Sequence, residues 1–284
     1  VIRVNRQPNS RLQREAELAP FLPDEVRYPP IVGQGGQPGK DWLIHQRVPG
    51  RPLSRAWPTM SDDLRRDAIS QLATMLRAVH ATREPIGLAP VAAPPHLLSP
   101  DSGAAADPLV AALHRARSLE FVDTSIIHAA SLLVEETAAV LEPFGAATLV
   151  HGDLTLENLL WHDGRITAML DFEWSRSVPP DVDLDILLRF CALPFLHVAE
   201  DYEHLSRPED YADVPWWLRD DYPELFGFRF QLERMRLYSL AYDVRELLAH
   251  PPRTRSAELS PYHPYNRIKA IVDEHSYIDK MRGA

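Results

Sequence analysis

Three oxygen-bearing side chains, Asp153, Asn158 and Asp171, stand at spacings that can serve one reaction. Asp153 and Asn158 bound a polar loop that begins His151-Gly152, and Asp171 follows the apolar run Ala168-Met169-Leu170. A carboxylate can orient a hydroxyl and take its proton. An amide oxygen and a second carboxylate can hold a divalent cation. Together these are the equipment of phosphoryl transfer, and hard oxygen ligands suit Mg²⁺. Each residue alone has a plainer use: a lone Asp or Asn in a loop is a cap or turn residue. The order of the three, set between apolar strands, favours the chemistry. His151, before a glycine, reads as a side chain that holds the loop by hydrogen bonds.

The flanking sequence supplies the elements that must position these groups. Thr148-Leu149-Val150 is a short apolar run that can feed a buried strand. His162-Asp163-Gly164-Arg165 is a hairpin turn, because Asp-Gly accepts the positive φ angles of a tight reversal. Ile166 to Leu170 is then the returning strand. The expected order is strand, polar loop, short strand, turn, strand, carboxylate, which brings the three groups to one point.

Protein kinases place an Asp, an Asn five residues on, and the Asp of Asp-Phe-Gly in these roles. Here His151-Gly152-Asp153, the five-residue step to Asn158 and Asp171-Phe172-Glu173 resemble the aminoglycoside phosphotransferase family, a small-molecule branch of the kinase-like fold. The resemblance implies an α+β, bilobal protein-kinase-like fold. A partial N-lobe sheet would span residues 1–47 and a mostly helical C-lobe residues 48–284. It implies Asp153 as the catalytic base, Asn158 and Asp171 as Mg²⁺ ligands, and ATP or GTP as co-substrate. Arg3, at the place of the kinase strand lysine, would face the phosphates with Glu15 as its partner. The hinge, at Arg47 and Val48, would meet the nucleobase. Asp183 would anchor the metal loop and cap the next helix. The acceptor is a small molecule, with Glu157, Glu173, Asp220 and Asp221 as candidate acceptor-binding carboxylates.

This sequence departs from the family pattern in places. Arginine has a planar head and is not interchangeable with lysine. Val178-Pro179-Pro180 stands where the family has Gly-Asp-Pro. The numbered sequence starts at the strand of Arg3, without the preceding glycine-rich hairpin; the expectation is that it starts inside its gene product. Acceptors of other kinds, such as choline, homoserine, a ketosamine or a sugar, fit the same motifs. A nucleotide-binding pseudokinase without turnover is the reading that Arg3 favours.

The chain has 284 residues, 45% hydrophobic and 25% charged, as in a globular protein of one large or two small domains. A net charge of −10 argues against nonspecific nucleic-acid binding. No run of eighteen apolar residues suggests a membrane partner, and the N-terminus lacks a signal-peptide layout. One cysteine, Cys191, leaves no internal disulfide and fits a reducing cytoplasm.

In chain order, strands are expected at residues 1–4, 31–32 and 42–45, with a helix over 12–21 capped by Asn9 or Ser10. The glycines between the last two strands make a hairpin, since no Gly-Lys-Ser/Thr ending or helix follows. Ser61 opens an amphipathic helix through Leu64, Ala68, Leu72, Met75, Leu76 and Val79, ending at a structural His80. Residues 85–100 are a proline-rich loop. Further helices are expected over 108–114, 118–141, 184–195, 228–250 and 264–281. Residues 197–228 are acidic and aromatic. They are either an acceptor wall or a solvated surface on which Trp216 and Trp217 are packing anchors.

Overall fold

A computed structural model describes residues 1–100, 103–145 and 148–279. The chain divides into two compact units. One combines Val1–Ala93 with Ala147–Phe226, and the other combines Pro94–Ala146 with Gly227–Ala284. This partition differs from the expected 1–47 and 48–284 lobes. The N-terminal sheet shares a unit with the loop of Asp153, because Arg3, Arg11 and Glu15 all bond to residues 171–173.

In the first unit, β1 (Ile2–Val4) and β2 (Ile31–Gly35) flank β3 (Trp42–His45) in an antiparallel sheet. Helix α1 (Arg11–Leu18) lies between β1 and β2 in sequence. Ser10 stands at its N-cap without a side-chain cap bond, and Asn9, one residue earlier, accepts from Arg11 N through Oδ1 at 3.1 Å. The regular helix stops at Leu18, short of the expected Phe21. Pro20 lies in the next turn, a 3₁₀ helix (Ala19–Phe21), and proline cannot continue the α-helical hydrogen bonds.

After β3 come β4 (Arg51–Pro52) and a one-turn helix α2 (Leu53–Ala56). Helix α3 (Asp62–Ala81) starts where Ser61 accepts from Leu64 N. Its Ala68, Leu72, Met75, Leu76 and Val79 are buried, whereas Leu64 is exposed in the first turn. The second unit interrupts here with α4 (Asp107–Ala116) and α5 (Thr124–Thr137). The first unit resumes with β5 (Leu149–Val150), β6 (Leu159–His162), β7 (Arg165–Met169) and β8 (Arg176–Ser177). The β6–β7 turn is the expected one: Asp163 and Gly164 have φ of 47° and 78°. β4 joins this hairpin along β6, and β5 pairs antiparallel with β8. Helix α6 (Asp181–Ala192) ends before Pro194 and is buried on nearly every face. Helix α7 (Val214–Asp221) packs on α3.

The second unit is helical. α8 (Gln231–Ala249) and α9 (Pro264–Val272) join α4 and α5 around Leu113, Ile127, Leu237, Leu240 and Ile268. Two expected helices shorten, and both stops are left-handed residues. Phe121 has φ of 62°, so α5 begins only after Asp123, which caps Ser125 N. Glu274 has φ of 58°, and His275 N returns to Ala270 O at 2.8 Å, closing α9 as a Schellman-type end. The tail of that expected helix, beyond 279, lies outside the described residues. Thr124–Leu141 is the one described stretch apolar enough over 18 residues to cross a membrane on length and composition, with mean hydropathy 1.3. Of that stretch 22% is buried, and α5 buries Ile127, Ala130 and Val134 within its own unit.

Candidate active site

Strand β5 delivers the chain to His151, and the loop to Asn158 is held by side chains from three other elements. Asp183 of α6 is the main anchor. Its Oδ2 accepts from His151 N and its Oδ1 from Gly152 N, each at 2.8 Å. His80 Nε2 sits 3.1 Å from Oδ2, and His80 Nδ1 sits 3.0 Å from the Tyr222 hydroxyl. Burial alone would raise the Asp183 carboxyl. The hydrogen bond and charge of His80, with the Gly152 N–H, outweigh burial and hold it below the usual carboxylate range. Asp183 was expected to anchor the metal loop. Instead, from the first turn of α6, it holds the loop of Asp153 by accepting from the N–H groups of His151 and Gly152, and it caps no helix end.

His151 has the structural role read for it. Its Nδ1 accepts from Asp153 N at 3.2 Å and its Nε2 bonds Leu170 O at 2.8 Å. An accepting Nδ1 assigns the proton to Nε2. The ring packs on Phe172, centroids 4.5 Å apart. One imidazole thus ties the loop of Asp153 to that of Asp171.

Gly152 explains why glycine stands where protein kinases carry arginine. Its φ is +84°, and an added Cβ would lie 2.3 Å from Trp174 O. Both the left-handed backbone and the approach of the Phe172–Trp174 turn exclude a side chain. Gly152→Ala is expected to cost about 1–3 kcal/mol or more of stability, from strain of this kind. Urea unfolding of the variant checks this; an unchanged midpoint would show that the loop can relax around the methyl.

Asn158 closes a 3₁₀ turn (Leu156–Asn158). Its Nδ2 donates to Asp153 O at 2.8 Å and to Asp153 Oδ2 at 3.2 Å. The amide nitrogen is therefore committed, which leaves Oδ1 as the atom that could face a cation. Asn158 O accepts from Leu170 N at 2.8 Å, one residue before Asp171. Asp171 itself has φ of 67°, a conformation an L-residue holds only when its surroundings impose it. Burial and the neighbouring charge of Asp171 push the Asp153 carboxyl up, against the hydrogen bond from Asn158.

Arg3 spans the far wall. Its Nη1 lies 2.6 Å from Glu15 Oε2, and its Nη2 lies 2.7 Å from Asp171 Oδ1 and 3.3 Å from Glu173 Oε2. Burial would lower this guanidinium's pKa; the three carboxylates outweigh burial and raise it. Glu15 is fully buried and also accepts from the Tyr28 hydroxyl at 2.8 Å and Phe172 N at 3.2 Å. Arg11 lies 3.0 Å from Glu173 Oε1 and covers the Trp174 ring at 4.2 Å. The carboxylates of Glu15, Asp171 and Glu173 approach within 4.8 Å of one another. Arg3 bonds all three, so this cluster is matched by arginine. A cleft of about 190 Å³ runs along this wall, lined among others by Arg3, Tyr28, Val48, Asn158, Leu170 and Asp171.

The structure thus brings Asp153, Asn158, Asp171, Arg3, Glu15 and Glu173 together, with Val48 on the cleft wall. Arg47 is exposed and does not line that cleft. Glu157 is engaged elsewhere: Ser54 Oγ donates to its Oε1, and Arg55 Nη2 lies 3.5 Å from its Oε2. Asp221 is held against α3, whereas Asp220 is largely exposed. Arg66 of α3 bonds both oxygens of Asp221 and lies 3.9 Å from Asp220. Arg11 was missed in the sequence. It stands four residues before Glu15 on the same helix face, and that spacing could have found it.

The chain matches the phosphotransferase enzyme family over residues 1–217. It belongs to that family. Solved structures agree on the fold. A thermostable mutant of aminoglycoside phosphotransferase APH(4)-Ia, in ternary complex with ADP and hygromycin B, aligns with TM-score 0.61 at 16% identity, covering 100% of this chain and 86% of that one. The GDP complex of aminoglycoside 2'-phosphotransferase-IIIa aligns with TM-score 0.60 at 18% identity, covering 97% and 83%. Aminoglycoside-3'-phosphotransferase of type VIII aligns with TM-score 0.53 at 24% identity, covering 84% and 83%. The fold is the α+β, protein-kinase-like one expected from the motifs. No curated protein sequence matches this chain.

Proposed function

We propose that the protein transfers the γ-phosphoryl group of ATP or GTP to a hydroxyl of a small molecule. The observation that carries this reading is that Asn158, Asp171 and Arg3 line one cleft and that Asp153 is bonded to Asn158. Asp153 orients the acceptor hydroxyl and takes its proton as the oxygen attacks the γ-phosphorus. Its raised pKa brings it nearer to neutral pH, where a base is most effective. Asn158 fixes the Asp153 side chain through Nδ2. The all-oxygen donor set of Asn158 Oδ1 and the Asp171 carboxylate fits Mg²⁺. When bound there, Mg²⁺ would neutralise phosphate charge. Arg3 supplies a permanent positive charge on the same wall, braced by Glu15. Val48 and its neighbours offer backbone and apolar surface to the nucleobase.

An aminoglycoside-like acceptor is the class favoured by the relatives, whose complexes hold hygromycin B with ADP, and streptomycin with ATP. The support from this chain is its acidity. Both oxygens of Glu157, and both of Asp221, are already held by protein groups, which removes them from the front rank of acceptor ligands. A cytoplasmic location suits the single buried thiol of Cys191. The test is phosphomonoester formation, followed by ³¹P NMR, with Mg²⁺ and ATP or GTP across aminoglycosides, choline, homoserine, ketosamines and sugars. Ester on an aminoglycoside is the expected result. Ester only on another alcohol would move the acceptor class, and none on any would leave a nucleotide-binding protein without turnover.

A further inference from the structure

Glu157 immediately precedes the proposed metal ligand Asn158, and both of its oxygens are held by α2. Ser54 Oγ donates to Oε1 and the Arg55 guanidinium approaches Oε2 at 3.5 Å. Ser54 is 3% exposed, so water competes little for this bond. Arg55 is itself braced over the Tyr202 ring at 4.5 Å.

The turn that these contacts hold has little stability of its own. Leu156–Asn158 is a single 3₁₀ turn, and Thr155 at its start gives no side-chain cap. Short 3₁₀ turns have poor hydrogen-bond geometry and depend on what surrounds them. The other side of Asn158 is fixed. Leu159 pairs with Met169, while Leu160 and Trp161 pair with Pro52 and Arg51 of β4. Two anchors on Asn158 thus come from the segment 51–55, which follows the cleft residue Val48 by only a few positions. One anchor is the β4–β6 ladder. The other is the Ser54–Glu157 bond.

We infer that Ser54 and Glu157 are positioning residues: their bond fixes the Leu156–Asn158 turn so that Asn158 keeps Nδ2 on Asp153 and Oδ1 open to the metal. Glu157 then acts through Asn158 and not on the acceptor. This rests on the reading of Asn158 as a metal ligand. The consequence is specific. Loss of the bond loosens the turn on one side of Asn158 and weakens metal-supported steps, while the nucleobase wall around Val48 is untouched. A hydrogen bond between a buried hydroxyl and a part-buried carboxylate is among the stronger ones, so the effect is large enough to read.

The experiment compares wild type with Ser54→Ala, Glu157→Gln, their double variant and Ser54→Thr. Four quantities are measured: kcat, KM for nucleotide, the Mg²⁺ concentration for half-maximal effect, and nucleotide Kd by calorimetry with and without Mg²⁺. Ser54→Ala is expected to raise the Mg²⁺ requirement roughly tenfold and lower kcat similarly, the scale of a charged hydrogen bond. Metal-free nucleotide Kd should stay within about twofold, because that wall is intact. Ser54→Thr keeps the hydroxyl and should restore most of the loss. The double variant should be no worse than the poorer single one, since both remove the same bond. Circular dichroism confirms that each variant is folded at the assay temperature.

Unchanged Mg²⁺ dependence in folded Ser54→Ala and Glu157→Gln would overturn the inference. So would a loss shared equally by metal-free nucleotide binding, which marks a general structural role. If wild type binds nucleotide identically with Mg²⁺ and with chelator, the metal reading itself fails and the inference goes with it. If wild type responds to Mg²⁺ and the variants do not differ from it, only the inference fails.

Discussion

Asp153→Asn is expected to lower acceptor-dependent turnover by at least about a hundredfold, the lower end of what a positioned base contributes. The variant keeps a side chain of the same shape next to Asn158, so nucleotide affinity should change little. What it loses is the ability to take a proton. The wild-type carboxyl is pushed up by burial and by Asp171, so its basic form appears at higher pH than that of an ordinary aspartate. The acid limb of the wild-type kcat profile should therefore rise with pH above the usual carboxylate range, and the variant should lack that limb. Initial rates against pH for both proteins check this. Turnover in Asp153→Asn within a few-fold of wild type would remove Asp153 from the base role.

Asp183→Ala is the second large change. It strips acceptors from His151 N, Gly152 N and His80 at once, all buried. Removing one partner of such a buried charged network costs about 3–5 kcal/mol, because the remaining groups have neither water nor protein to bond. The pH dependence carries a sign. The folded Asp183 carboxyl lies below its unfolded value, so its stabilisation is fully present above that unfolded value, about 4. It is lost as pH falls through the lower folded value. Urea unfolding at neutral and acid pH should show a large loss for the variant at neutral pH, with the gap to wild type closing as acid protonates Asp183. A constant gap across pH would show that the side chain acts by packing and not by charge.

Local elements were legible where the signal sits within a few residues. Asp163-Gly164 announced its hairpin, Ser61 its helix, and the 151–158 spacing its loop, because each depends on neighbours along the chain. The role of Gly152 was hidden, since the atom that excludes a side chain is Trp174 O, far along the sequence. The anchor Asp183 was singled out but assigned to the wrong loop. Its partners at 80, 151 and 152 come from two distant segments, and no local pattern says which N–H groups a buried carboxylate will meet. The same holds for Arg3, whose contact with Asp171 spans 168 positions. Helix ends at Phe121 and Glu274 were misjudged because an apolar or charged residue in a left-handed backbone gives no compositional warning. Asp221 looked free only because its partner Arg66 lies on another helix.

The most direct test of the site is calorimetric titration of ATP and GTP into wild type and Asp171→Ala, each with Mg²⁺ and with chelator. In wild type, Mg²⁺ should tighten nucleotide binding, since Asn158 and Asp171 offer hard oxygen ligands beside the cleft that Arg3 and Val48 line. In Asp171→Ala that tightening should disappear, while metal-free binding persists through Arg3, whose charge is then less neutralised. The same affinity with Mg²⁺ and with chelator in both proteins would contradict the assignment of this cleft as a metal–nucleotide site.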